Sequence, residues 1–274
     1  MIAAEAAGHW YRPGQWLFRD LSFRVRPGGI LAVLGPNGRG KTTLLRGICG
    51  TLRLREGRLR LGGPVGYVPQ AQQADIGYLA IDMVLLGRSR FLGRFDAPRA
   101  TDLARAEACL DEVGLTAIAG QRYDRLSGGQ RQLVLLARAL ATDCTAMVLD
   151  EPASALDLAN QGIMLRLLQR LALERGLAIL FTTHDPDHAL GIADQTLLML
   201  DAGAHVVGPT GEAVTEDSLA RLYAVPVHRM AWRKDGEHGE TVVPLHGLRG
   251  GRAAGPVRPR AAPPGRAPPA SRHR

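Results

Sequence analysis

The sequence predicts an α/β protein, and three observations carry that prediction. Its apolar pattern switches repeatedly between short continuous runs and helical spacing. The runs are bounded by turn residues, as strands buried on both faces tend to be. A glycine-rich stretch, Gly35 to Thr43, also lies directly between one such run and a segment of helical period.

The elements follow in order. Leu17–Val25 alternates loosely and reads as a strand. Ile30–Leu34 is a short apolar run flanked by glycine, hence a buried strand, and Thr42–Cys49 continues at helical period. Arg58–Leu61 and Val65–Val68 read as short strands around the Gly62-Gly63-Pro64 turn. Ile81–Leu86 and Ala100–Val113 read as helices, the second with Leu103, Ala106, Leu110 and Val113 on one face. Gly128–Leu140 is the strongest amphipathic helix, its Leu133, Leu136, Ala137 and Leu140 falling on one face. Ala146–Leu149 then reads as a strand, Leu158–Leu173 as a helix, Ala178–Phe181 as a buried strand and Pro186–Ile192 as a short helix. Thr196–Leu200 and Ala204–Val207 suggest a hairpin, and Ser218–Tyr223 a last helix. No internal repeat is visible.

Charge narrows the function classes. The chain has 274 residues with 34 basic and 26 acidic side chains, a net +8. Residues 247–274 hold seven Arg, six Pro and no carboxylate, so the remainder is close to neutral at +1. A globally basic nucleic-acid-binding domain is not supported, and no nucleic-acid partner is expected. The tail reads as a disordered, solvated extension, with loose contact to anionic lipid or nucleic acid as the functional alternative. Cys49, Cys109 and Cys144 lack the spacing of a disulfide scaffold or a zinc site, which fits a reducing compartment. No run approaches the roughly 18 apolar residues of a membrane span, and no charged, then apolar, leader opens the chain. These features together suggest a soluble cytoplasmic protein.

The glycine-rich stretch carries the chemistry. Gly35-Pro36-Asn37-Gly38-Arg39-Gly40-Lys41-Thr42-Thr43 matches GxxxxGK[ST] with a strand before it and a helix after it. Glycines let the backbone turn with its N–H groups inward, toward phosphate oxygens at a helix N-terminus. Lys41 reaches the β and γ phosphates, and the Thr42 hydroxyl is offered to Mg²⁺. Lys41 is also one of two lysines among the 34 basic residues, so it stands against a strong bias to Arg. Such a loop needs a metal-anchoring carboxylate at the end of a neighbouring buried strand. Ala146–Leu149 delivers Asp150, and Glu151 follows it to orient and deprotonate the attacking water.

A second glycine pair opens the amphipathic helix. Leu126-Ser127-Gly128-Gly129-Gln130, 20 residues ahead of Asp150, is a second helix N-terminus with adjacent glycines and a Ser, hence a second anion site, with a plain Ser127 N-cap as the alternative. This order of motifs resembles the ATP-binding cassette ATPases, the nucleotide-binding subunits of ABC transporters. The resemblance covers about residues 1–230 and implies their fold. That fold is a P-loop NTPase, with a RecA-like core, an antiparallel β subdomain and a helical subdomain at about 75–140. Residues 231–246 are then a C-terminal extension.

In that family the cassettes pair head to tail, and the LSGGQ-type segment of one closes on the γ-phosphate held by the other. Ser127, Gly128, Gly129 and Gln130 match it unchanged. Gln70, after Tyr67-Val68-Pro69, resembles the glutamine that senses Mg²⁺ and the attacking water. Ser154-Ala155-Leu156-Asp157 resembles the segment running across the dimer interface. His184, in Thr182-Thr183-His184-Asp185, resembles the switch histidine at the γ-phosphate. Tyr11, 24 residues before Gly35, lies where an aromatic stacks on adenine, with Trp10 and Trp16 as competitors. Arg39 stands where Ser is usual and Ala153 where Thr is usual; neither change removes a catalytic group. The resemblance thus implies an ATPase using ATP and Mg²⁺.

Finer features point within the family. Asp82–Arg88, Thr215–Tyr223 and Val225-Pro226-Val227 resemble importers of iron–siderophore, haem or cobalamin, while Ser154–Gln161 is similar to molybdate and tungstate members. The implied assembly is a homodimer of this chain under two transmembrane permease subunits, fed by an external substrate-binding protein. It would sit on the cytoplasmic face of the cell membrane. Residues 71–95 would lie beside the groove for a permease coupling helix, where Val84, Leu85, Leu86, Phe91 and Leu92 are the alternatives between surface and core. A DNA-repair cassette would need a coiled-coil insertion, yet only 85 residues separate Lys41 from Ser127, without heptads. A small-molecule kinase would have no use for the LSGGQ segment, and an exporter subunit differs by its permease.

Overall fold

Runs such as Ile30-Leu-Ala-Val-Leu34 leave no polar face, so they must be covered on both sides. The computed structural model describes residues 1–70, 77–93, 95–154, 156–200, 203–234 and 236–245. Its first elements are β1 (Ile2–Arg12), β2 (Gln15–Val25), β3 (Ile30–Leu34), α1 (Lys41–Ile48), β4 (Glu56–Leu61) and β5 (Val65–Val68). The middle contains α2 (Ala80–Leu85), α3 (Ala100–Glu112), α4 (Gly128–Leu140), β6 (Ala146–Leu149) and α5 (Leu158–Arg175). Then come β7 (Ala178–Thr183), α6 (Pro186–Ile192), β8 (Gln195–Met199), β9 (His205–Pro209), α7 (Thr210–Ala213) and α8 (Glu216–Tyr223). A hairpin of β10 (Val227–Lys234) and β11 (Glu237–Pro244) follows.

A six-stranded sheet in the order β5-β6-β7-β3-β8-β9 forms the centre, parallel except for the β8–β9 pair. Alternate residues divide its two faces. Leu31, Val33, Val148 and Leu180 pack with α1 and the antiparallel sheet β2-β1-β4, whereas Ala32, Leu34, Leu149 and Phe181 pack toward α4 and α5. The parallel strands all end on one edge, where ligands of open α/β sheets bind.

Three expectations change. The strand β1, with no counterpart in the sequence reading, is the middle of the antiparallel sheet. Its Ala-rich, bulged run (register shifts at Ala4/Ala7 and Ala7/His9) hides the period of two. On α3, Leu103 is 42% exposed rather than on the buried face, while Ala106, Cys109 and Leu110 are buried. Asp102 explains the rotation: it accepts from the Arg99 N–H at 3.1 Å and from Arg88 Nε at 3.1 Å, so that side of the first turn faces inward. The expected boundary at residue 230 falls inside β10, which starts at Val227. The tail 247–274, residues 71–76 of the expected groove and Ala155 lie outside the described residues.

Gly57 shows how tightly the antiparallel sheet is built. Its φ is +77°, and a Cβ there would lie 2.2 Å from the Ala6 carbonyl oxygen, at the bulge where Ala6 itself has φ 47°. Gly14, at φ +79°, has open space around it. Gly14→Ala should therefore cost about 1 kcal/mol, and Gly57→Ala about 2–4 kcal/mol. Urea titration with unchanged m-value checks the difference; equal losses would contradict the close approach.

Candidate functional site

The loop from Gly35 to Gly40 turns because Gly38 and Gly40 adopt φ 82° and 93°, values that L side chains rarely accept. The turn aims the start of α1 at a cavity of about 510 Å³, lined by Tyr11, Leu17, Pro36, Asn37, Gly38, Gly40, Lys41, Thr42, Thr43, Gln70, Asp150 and Glu151. Lys41 is buried; its Nζ donates to the Gly35 carbonyl at 2.6 Å and lies 3.4 Å from Glu151 Oε1. Arg39 is half-buried and lines no part of this cavity.

Asp150 is fixed by two hydroxyls. Thr42 Oγ1 donates to its Oδ2 at 2.9 Å, and Thr182 Oγ1 donates to its Oδ1 at 2.8 Å. Thr182 also accepts from the Glu151 backbone N–H at 2.9 Å. Glu151 sits in the left-handed region at φ 47°, a costly place for a carboxylate residue that this bond helps to hold. Its Oε2 then meets His184 Nδ1 at 3.2 Å. Gln70 donates to Ser154 Oγ at 3.2 Å, which in turn donates to the Glu151 carbonyl at 3.1 Å. Gln70, Glu151 and His184 thus form one connected group.

The donor set suits magnesium. Mg²⁺ takes hard oxygen ligands, using one or two carboxylates together with substrate phosphates and water. The Asp150 carboxylate and the Thr42 hydroxyl, side by side at the mouth of the phosphate loop, are of that kind. A bound Mg²⁺ would neutralise phosphate charge.

Tyr11 is 58% exposed above the loop helix, with its Oη 3.2 Å from Thr43 Oγ1. Trp10 and Trp16 instead stack edge to face on each other, with ring centroids 4.5 Å apart, and neither lines the cavity. Of the three aromatics, Tyr11 is the one that lines the cavity. The second glycine motif lies elsewhere. Ser127 caps α4 reciprocally, its Oγ accepting from the Gln130 N–H at 3.2 Å while Gln130 Oε1 accepts from the Ser127 N–H at 2.9 Å. Ser127, Gly128, Gly129, Gln130 and Asp157 line no part of the cavity. Asp157 caps α5 by accepting from the Asn160 N–H at 2.8 Å.

The family model described as ABC transporter matches residues 18–154. The chain is 41% identical over 226 residues to the molybdate import ATP-binding protein MolC of Haemophilus influenzae, covering 82% of this chain and 89% of that protein. The chain belongs to the ABC transporter family. It is an ATP-hydrolysing cassette of that family. It is also 33% identical over 244 residues to the hemin import ATP-binding protein HmuV of Myxococcus xanthus, covering 82% of this chain and 90% of that protein. Among solved structures, an inward-facing conformation of a metal-chelate type ABC transporter matches with TM-score 0.86 and 38% identity, over 90% of this chain and 98% of that one. A dimeric cassette in a post-hydrolysis state bound to ADP and phosphate matches with TM-score 0.66 and 25% identity, over 77% and 99%.

The sequence reading gives Thr182 no role of its own: it follows the apolar run Ala178–Phe181 and stands only as the first residue of the segment leading to His184. The signal available was its place, one strand over from Asp150 and two residues before His184. Replacing this fully buried hydroxyl by Thr182→Val leaves the Glu151 N–H and an Asp150 oxygen each without a partner. Thr182→Val should lower the ATPase kcat by about tenfold or more, while Thr182→Ser should stay near wild type. Steady-state hydrolysis measurements of both variants check this, and equal rates would contradict the role.

Proposed function

We propose that this cassette is the ATP-hydrolysing subunit of an importer of metal species, with a metal chelate (iron–siderophore, haem or cobalamin) as the cargo. The observation that carries the reading is the match to a metal-chelate type transporter over 90% of this chain at TM-score 0.86. Molybdate is the second reading, favoured by the 41% identity to a molybdate import protein.

In this reading ATP enters the 510 Å³ cavity with its adenine against Tyr11 and its phosphates along Gly35–Thr43, where they draw Lys41 away from the Gly35 carbonyl. Asp150 and Thr42 hold Mg²⁺, while Glu151 takes the proton of the attacking water and Gln70 and His184 orient the γ-phosphate end. Ser127–Gln130 face outward from α4, so a second copy of the chain supplies them to this site and receives the same from it. The segment ending at Asp157 then runs along that seam. Two transmembrane permease subunits and an external binding protein complete the importer, with the cassettes on the cytoplasmic face of the membrane. Among the described residues no helix is long and apolar enough to cross a membrane. The exposed Leu86 and Phe91 are the residues offered to a permease, whereas Val84 belongs to the core.

The test is elemental analysis of cells lacking this chain, grown with scarce iron, cobalamin or molybdate, and restored with wild type or Glu151→Gln. Loss of one element, recovered with wild type but not with Glu151→Gln, is the expected result and identifies the cargo. Unchanged content of all three would contradict metal import.

A further inference from the structure

The segment that carries His184 is gripped from behind by the C-terminal part of the chain. Tyr223, the last residue of α8, donates its Oη to the His184 carbonyl at 2.8 Å. Three residues beyond His184, Asp187 accepts from Thr241 Oγ1 at 2.6 Å and from the Val242 N–H at 2.8 Å, both on β11. The hairpin is itself anchored. Glu216 Oε1 accepts from the Arg229 N–H at 2.8 Å and pairs with His228 Nδ1 at 2.7 Å. Arg229 reaches across from β10 to the Gly211 and Val214 carbonyls at 2.9 and 2.7 Å and also pairs with Glu240. Burial raises the Tyr223 phenol, with Asp185 and Glu151 adding to the shift, so the phenol stays a donor at working pH.

These bonds matter because the imidazole itself is loosely held. The His184 side chain is 57% exposed and meets Glu151 Oε2 at 3.2 Å. Its backbone, not its ring, is what the fold fixes. A swing beginning beyond β7 would move Nδ1 away from Glu151, while Thr182, still within the strand, keeps its bond to Asp150 and Lys41 stays on the Gly35 carbonyl.

We propose that Tyr223 and the β10–β11 hairpin are positioning elements that hold His184 in register with Glu151, so that the stretch from Tyr223 to the end of β11 controls turnover rather than ATP binding. The proposal rests on the reading of His184 as a γ-phosphate contact. The clamp acts from two sides, Tyr223 at the His184 carbonyl and β11 at Asp187 in the first turn of α6. Weakening either side broadens the set of His184 positions, which lowers the fraction of bound ATP in a reactive arrangement.

The experiment compares Tyr223→Phe and Thr241→Val in the full chain, each losing one hydroxyl donor, with His184→Ala and with both double variants carrying His184→Ala. ATP hydrolysis is followed across ATP concentration. We expect kcat to fall about fivefold in each hydroxyl variant, with the KM for ATP within about twofold. In the His184→Ala background the same substitutions should have no further effect, as expected of residues acting through one group. Wild-type turnover in both hydroxyl variants, beside a slow His184→Ala, would overturn the clamp alone. So would an equal further loss on top of His184→Ala, which marks a general structural effect. Wild-type turnover in His184→Ala would instead remove the γ-phosphate reading, and this proposal with it.

Discussion

The rest of the site depends on Asp150 being held by hydroxyls from two different elements. Thr42 reaches it from the helix that follows β3, and Thr182 reaches it from β7. Their meeting is a matter of register. Leu149 lies opposite Phe181, and Thr182 lies opposite Val33, so β6, β7 and β3 end level with one another. A slip of one residue would exchange the faces of every side chain on the strand and carry Thr182 away from Asp150. The apolar residues of these strands, buried on both faces, are what forbid the slip.

From that constraint the chemistry is assembled with little freedom left. Lys41 and Thr42 are consecutive residues at the start of α1, so fixing Thr42 on Asp150 fixes Lys41 against Glu151 as well. Glu151 follows Asp150 in an unusual backbone conformation, tied by its N–H to Thr182. The groups at the phosphate end are therefore pinned through the core. Ser127–Gln130 and Asp157 are organised instead as local helix caps at the surface. The groups around Asp150 are held within the chain, whereas Ser127–Gln130 and Asp157 lie away from the cavity.

The phosphate loop, Asp150, Glu151 and the capped glycine pair were legible in the sequence because each has a local signature of glycine, charge and spacing. Gln70, Tyr11 and His184 have no such signature and were legible through family resemblance alone. The core helices and parallel strands were legible to within about two residues at most ends, since strong apolar periodicity marks them. What failed has a physical reason in each instance. β1 is a bulged strand with many alanines, so its alternation breaks at Ala6. The hairpin from Val227 to Pro244 is largely exposed and charged, and its order comes from bonds to Asp187 and Glu216 that no local pattern encodes. Leu103 faces solvent because a capping carboxylate, Asp102, takes the inward position.

The measurement that tests the account most directly is Mg²⁺-dependent ATP hydrolysis by wild type and Asp150→Asn, with ATP binding measured on both. Asp150→Asn should still bind ATP but hydrolyse it about 100-fold more slowly or worse at every Mg²⁺ concentration. Wild-type hydrolysis by Asp150→Asn would contradict it, because the two threonines would then be holding a side chain that the reaction does not use.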